Sequence, residues 1–424
     1  MVVVPFFYIQ TYPLTMKLLS PCLLFSLSLC LPSYAGEVSK AVRDTMQKFI
    51  DDGEISGSVT LVARDGEVVS FEALGASNLE TGDRMEKDDL FWIASMTKPL
   101  AGVSLMMLAE EGKLDINDEV EKHLPEFKGL WMVDKKSNSE MTLKRPSRKI
   151  TLLDVATHTA GIAGVKEPRA HTTLAELVSM ISQKPLEFEP GSRWKYSSAG
   201  SNVLGRVVEV VSGQRYQDFL QERIFDPLGM KDTSFFPRFE QSYRLATPYL
   251  KNDKVKKLTA SEFNFMKGAL WDSQRTVKPS GGLFSTAEDM RRFYQMMLDG
   301  GVVGETRLLS KKSIKELTRT QSGDIKTGFT DGMSWGIHFQ VVKDPQGVTA
   351  MLNPGTFGHG GAFATQSWAD PTNQTIYILM IQRRGFRNGD NSLIRLAFQT
   401  AAAKALASAP EAPSEEAKTK EVEK

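Results

Sequence analysis

Strand-like patterns stand at both ends of the chain, on either side of a helical middle, and this placement constrains the fold most. Residues 57–75 alternate apolar and polar side chains around the turn RDGE, which predicts a β-hairpin. Residues 333–342, 362–370 and 375–383 each have the composition of a strand, and DPTN joins the last two. This order predicts an α+β fold (an α/β sandwich), with an antiparallel sheet built from both termini and flanked by helices.

Helical periodicity marks the middle of the chain, in TLLDVATHTAG, TLAELVSMISQ, SNVLGRVVEVVSG and TAEDMRRFYQMMLDG. Two capping boxes, Thr151 with Asp154 and Ser285 with Glu288, predict helix starts. A last helix is predicted over Ser392–Leu406.

These patterns predict one domain over residues 36–407. Its sheet part is expected at about 36–95 and 276–407, and its inserted, mostly helical part at about 96–275. Residues 408–424 consist mostly of Pro, Ala, Glu and Lys, which predicts a disordered tail.

The N-terminal segment 1–35 predicts a secretory signal peptide, because a basic residue, a short apolar run and small residues follow one another after Met16, the alternative start. Both cysteines of the chain lie in this segment, so the exported protein would carry neither a disulfide nor a thiolate metal site. Leu29 precedes Cys30 where a lipoprotein needs a small residue. We therefore expect a periplasmic or secreted protein and not a lipoprotein.

Charge and motifs exclude several function classes. Lys plus Arg (52) and Asp plus Glu (51) nearly cancel, so the net charge of +1 predicts no nucleic-acid partner. The five histidines do not show metalloprotease spacing, and no phosphate-binding or dinucleotide-binding loop is present. We expect no metal and no cofactor, and the sequence gives no indication of the oligomeric state.

A serine and a lysine three residues apart open an apolar segment. Ser95 and Lys98 precede PLAGVSLMMLAEEG, and a helix that is apolar on all sides is a buried helix. Residues three apart share one helix face, so the two side chains would point together, and burial would favour a neutral lysine that accepts a proton. The alternative is a capping serine with a solvated lysine. A second copy, Ser192 with Lys195, follows a turn and lacks an apolar run.

Two further groups of residues are candidates for a catalytic or binding role, and each also has a purely structural alternative. Tyr196 and Ser198 precede a helix: the tyrosine would shuttle protons if a lysine lowered its pKa, and the serine would bind substrate. The alternative is a core aromatic residue with a capping serine pair. His359, Gly360 and Gly361 open a strand, and an N–H just past the glycines could help to bind an oxyanion. The alternative is a tight turn with a surface histidine.

GMSWG, residues 332–336, matches the nucleophile elbow G-x-S-x-G. That elbow needs a helix after its serine, whereas IHFQVV after it is strand-like. Ser334 is therefore expected to be structural.

The order SMTK, YSS and HGG resembles the serine β-lactamase and penicillin-binding-protein superfamily, in its class C-like branch with D,D-peptidases and family VIII carboxylesterases. ITLLDVATHTAGI, IFDPLGMKDTSF and PSGGLFSTAEDMRRF resemble the same family, and the resemblance covers residues 38–384. It implies the β-lactamase/transpeptidase fold.

The resemblance also implies roles for individual residues. Ser95 matches the acylated nucleophile, Lys98 its deprotonating lysine and Tyr196 the tyrosine that shares general-base duty. The N–H groups of Ser95 and Ala362 would form the oxyanion hole. Ser198 stands where β-lactamases carry asparagine, and His359 stands where they carry the lysine of Lys-Thr-Gly, followed by Gly360 and Gly361.

Because these two departures remove groups that hold penicillins, we expect an exported serine hydrolase that acts on small acyl esters through an acyl-enzyme. The expected partner is a small-molecule ester, amide or peptide substrate. The alternatives are a D,D-peptidase or β-lactamase and, in another class, a non-catalytic binding relative.

Overall fold

The computed structural model describes residues 35–166, 169–252, 256–263, 266–328, 330–386 and 392–408. Of the predicted signal peptide only Ala35 belongs to these residues, and of the predicted tail only Ser408. The helices are α1 (Ala35–Asp51), α2 (Lys98–Glu110), α3 (Val120–His123), α4 (Leu152–Ala156), α5 (Leu174–Ser182), α6 (Ser198–Ser212), α7 (Tyr216–Leu220), α8 (Asp226–Leu228), α9 (Ala287–Leu298), α10 (Lys311–Thr318) and α11 (Leu393–Ala407).

The strands are β1 (Gly57–Arg64), β2 (Glu67–Asn78), β3 (Asp83–Arg84), β4 (Phe91–Trp92), β5 (Met132–Lys136), β6 (Met141–Lys144), β7 (Tyr249–Asn252), β8 (Lys257–Ala260), β9 (Phe284–Ser285), β10 (Val302–Val303), β11 (Thr306–Arg307), β12 (Met333–Trp335), β13 (Gln340–Val342), β14 (Phe357–Gly360), β15 (Gln366–Asp370), β16 (Thr375–Met380) and β17 (Arg383–Arg384).

The main sheet joins the two ends of the chain. Its order is β12-β13-β14-β15-β16-β1-β2-β3, and neighbouring strands run antiparallel throughout. The N-terminal strand β1 lies directly beside the C-terminal strand β16, with Leu61 opposite Ile378. The predicted α+β fold with an antiparallel sheet from both termini is thus confirmed. Between these two sets of strands, the middle of the chain also holds the hairpins β5–β6 and β7–β8.

Both faces of the sheet are covered, because successive side chains of a strand point to opposite faces. Leu61 and Ile378 contribute to the core shared with α2, α6 and α9. Their chain neighbours Val62 and Leu379 contribute to the core under α1 and α11. The result is a sheet packed between two helical layers, with the larger helical layer on the side of the predicted site.

The prediction of one strand over 333–342 is wrong, because the structure has the hairpin β12–β13 there. The N–H of Gly336 donates to the Phe339 carbonyl oxygen at 2.8 Å and closes a turn, in which His338 has φ +61°. A Cβ on Gly336 would collide with the Leu317 carbonyl oxygen. The local alternation of side chains carries no sign of this reversal.

The predicted capping box of Ser285 with Glu288 is wrong by one residue. Thr286 is the N-cap of α9, and its hydroxyl accepts the Asp289 N–H at 3.2 Å. Ser285 is held in β9 by its pairing with Phe91, so its backbone is extended. The sequence permits a helix cap at Ser285 or at Thr286, and the pairing of β9 with β4 selects Thr286.

Several local predictions are confirmed. The RDGE turn joins β1 to β2, with Asp65 and Gly66 at positive φ. Thr151 and Asp154 form the capping box of α4. The helix predicted over Ser392–Leu406 is α11, and Ser392 is its N-cap.

Across the described ranges, no helix has both the length and the apolar composition that a bilayer crossing requires.

Candidate active site

Ser95 lies in a strained turn between β4 and α2. The turn is a 3₁₀ helix over Ala94–Thr97, and Ala94 has φ +46°, a conformation that residues with a Cβ rarely adopt. The Thr97 hydroxyl donates to the Ala94 carbonyl oxygen at 2.7 Å and accepts the Leu283 N–H at 3.3 Å. The turn is thereby fixed from inside, and Ser95 keeps part of its surface open to solvent.

Lys98, one turn further on, is fully buried. Its Nζ lies 3.2 Å from Ser95 Oγ, 3.4 Å from Ser198 Oγ and 2.5 Å from the Ser280 carbonyl oxygen. Burial lowers the pKa of Lys98 to about 7. A neutral amine has two N–H donors and one lone pair, and the Ser280 carbonyl can only accept. In this neutral form, donation to Ser280 and Ser198 leaves the lone pair for the hydroxyl of Ser95.

Ser280 was not predicted from the sequence, and Asn202 on α6 holds it in place. The Asn202 side-chain oxygen accepts the Ser280 N–H at 3.1 Å. Next to it, Pro279 packs so closely on α6 that a Cβ on Gly205 would overlap with its ring. Gly205 leaves room for Pro279, and the side-chain amide of Asn202 binds the Ser280 backbone. These two contacts with α6 hold the loop PSGG against Lys98.

Tyr196 stands immediately before α6 and completes the group. Its phenol is hydrogen bonded to the Ser95 side chain, and Lys98 Nζ lies 4.7 Å from its ring centre. Burial raises the pKa of Tyr196, and the hydrogen bond with Ser95 offsets only part of that rise. The lowered tyrosine pKa on which the proton-shuttle expectation depended is therefore not found. The phenol stays protonated, and a protonated phenol can still relay a proton by donating its own as it accepts another.

The two backbone N–H groups expected to bind an oxyanion are those of Ser95 and Ala362. Within the described part of the chain, the N–H groups of Ser95 and Ala362 donate to no backbone or side-chain acceptor. Ala362 lies in a turn after β14 that is closed by the Gly361 N–H on the Thr365 carbonyl oxygen, at 2.8 Å. A Cβ on Gly361 would collide with the Ile93 carbonyl oxygen. Glycine thus brings this turn against the backbone that leads into Ser95.

The prediction that His359 and the two glycines open a strand is wrong, because His359 lies near the end of β14. His359 is buried and is not a surface residue. Its Nδ1 lies 2.6 Å from the Gly360 carbonyl oxygen, which places a proton on Nδ1. Burial, with the positive charge of Lys98, lowers the pKa of His359 well below its ordinary value. A neutral imidazole therefore stands where the resemblance places a lysine.

Four aromatic residues around Tyr196 were not predicted from the sequence. They are buried or half-buried in one cluster of rings with Tyr196 and His359. The four are His158, Trp194, Trp335 and His338. His158 lies in the phrase ITLLDVATHTAGI and His338 in the overlooked hairpin turn. His158 and His338 are far apart in sequence, so no local pattern relates the two. The fold brings them together.

The two rejected serine motifs lie apart from this group. Ser334 is on β12 and its Oγ lies 2.9 Å from the Ser322 Oγ, in the buried sheet. Ser192 caps a turn by donating to the Glu189 carbonyl oxygen at 2.6 Å. Lys195 forms an ion pair with Glu187 at 2.7 Å. Among the described residues, no group of His, Cys, Asp and Glu is arranged to hold a metal ion.

Comparison with known proteins places this geometry in context. The family model described as Beta-lactamase matches residues 42–402. "Protein Rv1367c" from Mycobacterium tuberculosis is 30% identical over 365 residues, which cover 80% of this chain and 88% of that protein. A Salmonella typhi protein named "Putative D-alanyl-D-alanine carboxypeptidase" is 29% identical over 368 residues, which cover 80% of this chain and 81% of that protein.

Among solved structures, "EstCE1, a hydrolase with promiscuous acyltransferase activity" superposes with a TM-score of 0.73 at 23% identity. The match covers 87% of this chain and 99% of that one. At this identity the likeness concerns the fold alone.

Proposed function

The chain belongs to the beta-lactamase family of serine hydrolases, and from that premise we propose that it hydrolyses small acyl esters through a covalent ester on Ser95. One observation carries the proposal: the buried amine of Lys98 contacts Ser95 Oγ at 3.2 Å, and its two other contacts are oxygen atoms that can accept both N–H donors of the neutral form. A lysine with a solvated or purely structural role does not require burial of its amine against a serine hydroxyl.

Acylation starts with transfer of the Ser95 hydroxyl proton to Lys98 Nζ as Oγ forms a bond to the acyl carbon. The acyl carbonyl oxygen becomes an oxyanion, and the N–H groups of Ser95 and Ala362 are the donors proposed to stabilise it. When the tetrahedral intermediate collapses, the bond to the leaving alkoxide breaks. The proton returns from Lys98 through the Tyr196 phenol to that alkoxide, so neither residue changes its net protonation.

Deacylation reverses these roles. A water molecule loses a proton to Lys98 by way of the Tyr196 phenol and attacks the ester carbon. The same two N–H groups bind the second oxyanion. The bond from Ser95 Oγ to the acyl carbon then breaks, and the proton on Lys98 returns to Oγ. The product is a free carboxylic acid.

The preference for esters rests on the two departures from the β-lactamase pattern. Substrates such as penicillins and D-alanyl peptides carry a carboxylate beside the cleaved bond. His359 offers a neutral imidazole at the position where the resemblance places a lysine, and Ser198 offers a hydroxyl in place of an amide. A neutral ester needs neither group.

The test is intact-mass spectrometry with a fluorophosphonate probe and a series of short chromogenic esters. The expected result is one phosphonyl adduct on Ser95, a burst of alcohol product, and loss of both in Ser95→Ala. Labelling of Ser334, with Ser95→Ala still active, would reassign the nucleophile. Absence of any adduct would favour the non-catalytic binding relative.

A D,D-peptidase is the second candidate, because the Salmonella relative is named for that activity. Turnover of nitrocefin, a D-Ala-D-Ala peptide and a short acyl ester by the same preparation ranks the alternatives. We expect the ester to have the highest kcat/KM, and a peptide or β-lactam preference would replace the ester proposal.

We further propose that the protein is exported to the periplasm or secreted, on the signal-peptide pattern of residues 1–35. The mass of the mature protein from its native host checks this, since export predicts loss of these residues.

A further inference from the structure

His158 brackets Tyr196 with two hydrogen bonds. Its backbone carbonyl accepts the Lys195 N–H at 3.0 Å, and its Nδ1 accepts the Ser197 N–H at 3.2 Å. The residue between these two donors is Tyr196. The ring of His158 also packs on that of Tyr196, with 4.7 Å between ring centres. One residue thus holds the backbone on both sides of the phenol and one face of its ring.

The conformation of His158 is unfavourable by itself. It has φ +62°, in the left-handed region, where a residue with a Cβ incurs backbone strain. Its Nε2 is buried and has no hydrogen-bond partner among the residues that the structure describes. A buried polar group without a partner also reduces stability. These two features indicate that His158 is not there for stability alone.

The far side of His158 is held by the hairpin β12–β13. His338 stacks on it with 5.3 Å between ring centres and 26° between ring planes. Both the backbone N–H and the Nδ1–H of His338 donate to the Ala156 carbonyl oxygen, at 3.1 and 2.9 Å. The turn of this hairpin, which carries Ile337 and His338, also packs on α2. There a Cβ on Gly102 would collide with the Ile337 carbonyl oxygen. The imidazole of His158 is therefore fixed from two elements.

We propose that His158 is a positioning residue for Tyr196, and that it holds the phenol against Ser95 through the Ser197 N–H and through ring packing. This inference rests on the proposed function. Because Nδ1 accepts a hydrogen bond, the ring proton is on Nε2, and the ring acts in its neutral form.

The neutral form is maintained by the surroundings. Desolvation, with the positive charges that His338, Lys98 and His359 would carry, lowers the pKa of His158 well below its ordinary value. The acceptor at Nδ1 is therefore present wherever Lys98 is neutral.

Two substitutions separate the acceptor from the bulk of the ring. His158→Asn keeps an acceptor near the position of Nδ1, and asparagine tolerates positive φ. His158→Leu keeps the volume and removes the acceptor. We expect kcat for a chromogenic ester to fall roughly 10- to 100-fold in His158→Leu with KM little changed, because misplaced reacting groups slow the chemical step. His158→Asn should recover most of that loss, to within about fivefold of wild type.

The fluorophosphonate labelling rate should change in parallel with kcat, because it reports on Ser95 directly. His123→Leu is the matched control: His123 is largely buried and lies 2.9 Å from Asp118, apart from the ring cluster. It should lower thermal stability and leave kcat and labelling unchanged. If His158→Leu does not fold, His158→Gln, which moves the amide beyond the Nδ1 position, replaces it.

Wild-type labelling by a folded His158→Leu or His158→Gln protein would overturn the inference. Equal loss in the Asn and Leu variants would overturn the role of the acceptor. Failure of the proposed function looks different: the wild type would label on Ser95 but turn over no ester, and the labelling rates would still decide the role of His158.

Discussion

The chain carries the same serine-x-x-lysine spacing twice, and the two copies differ in everything except spacing. At Ser95–Lys98 the amine is fully buried and touches three oxygen atoms, one of them on the serine. At Ser192–Lys195 the lysine side chain is 57% exposed and pairs with Glu187. Spacing alone therefore carries no chemistry. A buried helix start, with acceptors supplied by distant segments, gives one lysine the lowered pKa on which its proposed role as a base depends.

The largest expected effect separates the two lysines by activity. Lys98→Met removes the proton acceptor for both half-reactions, so kcat/KM for an ester should fall roughly 10⁴-fold. Lys195→Met should change it less than about twofold, since a surface ion pair contributes little. Comparable losses in the two variants would remove the distinction.

The second effect is on stability. The ordinary pKa of lysine is 10.5, and in the folded protein that of Lys98 is about 7. Between these values the unfolded chain binds a proton that the folded chain does not. The free energy of unfolding therefore falls as the pH falls from 10.5 to 7, by up to about 5 kcal/mol from this group.

Urea unfolding at several pH values measures this contribution. Lys98→Met should lack it, so its stability relative to wild type should grow steadily from pH 10 to pH 7. A difference that does not vary with pH would mean that Lys98 is charged in the folded protein.

The third effect is on the pH profile. Below about pH 7 Lys98 is protonated and has no lone pair, so kcat/KM should fall about tenfold for each pH unit below 7 and level off above it. Stopped-flow acylation over pH 5–9 measures this limb, and Lys195→Met should leave it in place. A limb near pH 4 to 5 would indicate a carboxylate base instead.

The smallest effect concerns the exposed copy. Glu187→Gln removes the partner of Lys195, and the free energy of unfolding should change by less than about 1 kcal/mol, with less change still at high salt. Thermal or urea unfolding at low and high ionic strength measures it. A larger change would mean that this region contributes more to the fold than its exposure indicates.

Sequence patterns within a few residues predicted the local features of the structure. The spacing of Ser95 and Lys98, the buried helix after them and the cap at Thr151 follow from positions a few residues apart. The sheet from both termini followed from the order of patterns along the chain.

Groups that meet across the fold could not be predicted in this way. His158 and His338 stack although they lie far apart in sequence, and Ser280 reaches Lys98 because Asn202 holds it. The pKa direction of Tyr196 was also beyond the sequence, because burial, and not the neighbouring lysine, dominates it.

The pairing of β1 with β16 has a consequence for synthesis. A ribosome makes β1 early, yet the strand that completes its edge ends at Met380. The glycine turn that packs against the backbone before Ser95, at Gly361, is also made late relative to Ser95. A nascent chain therefore carries Ser95 long before it carries the strand and the turn that complete its surroundings.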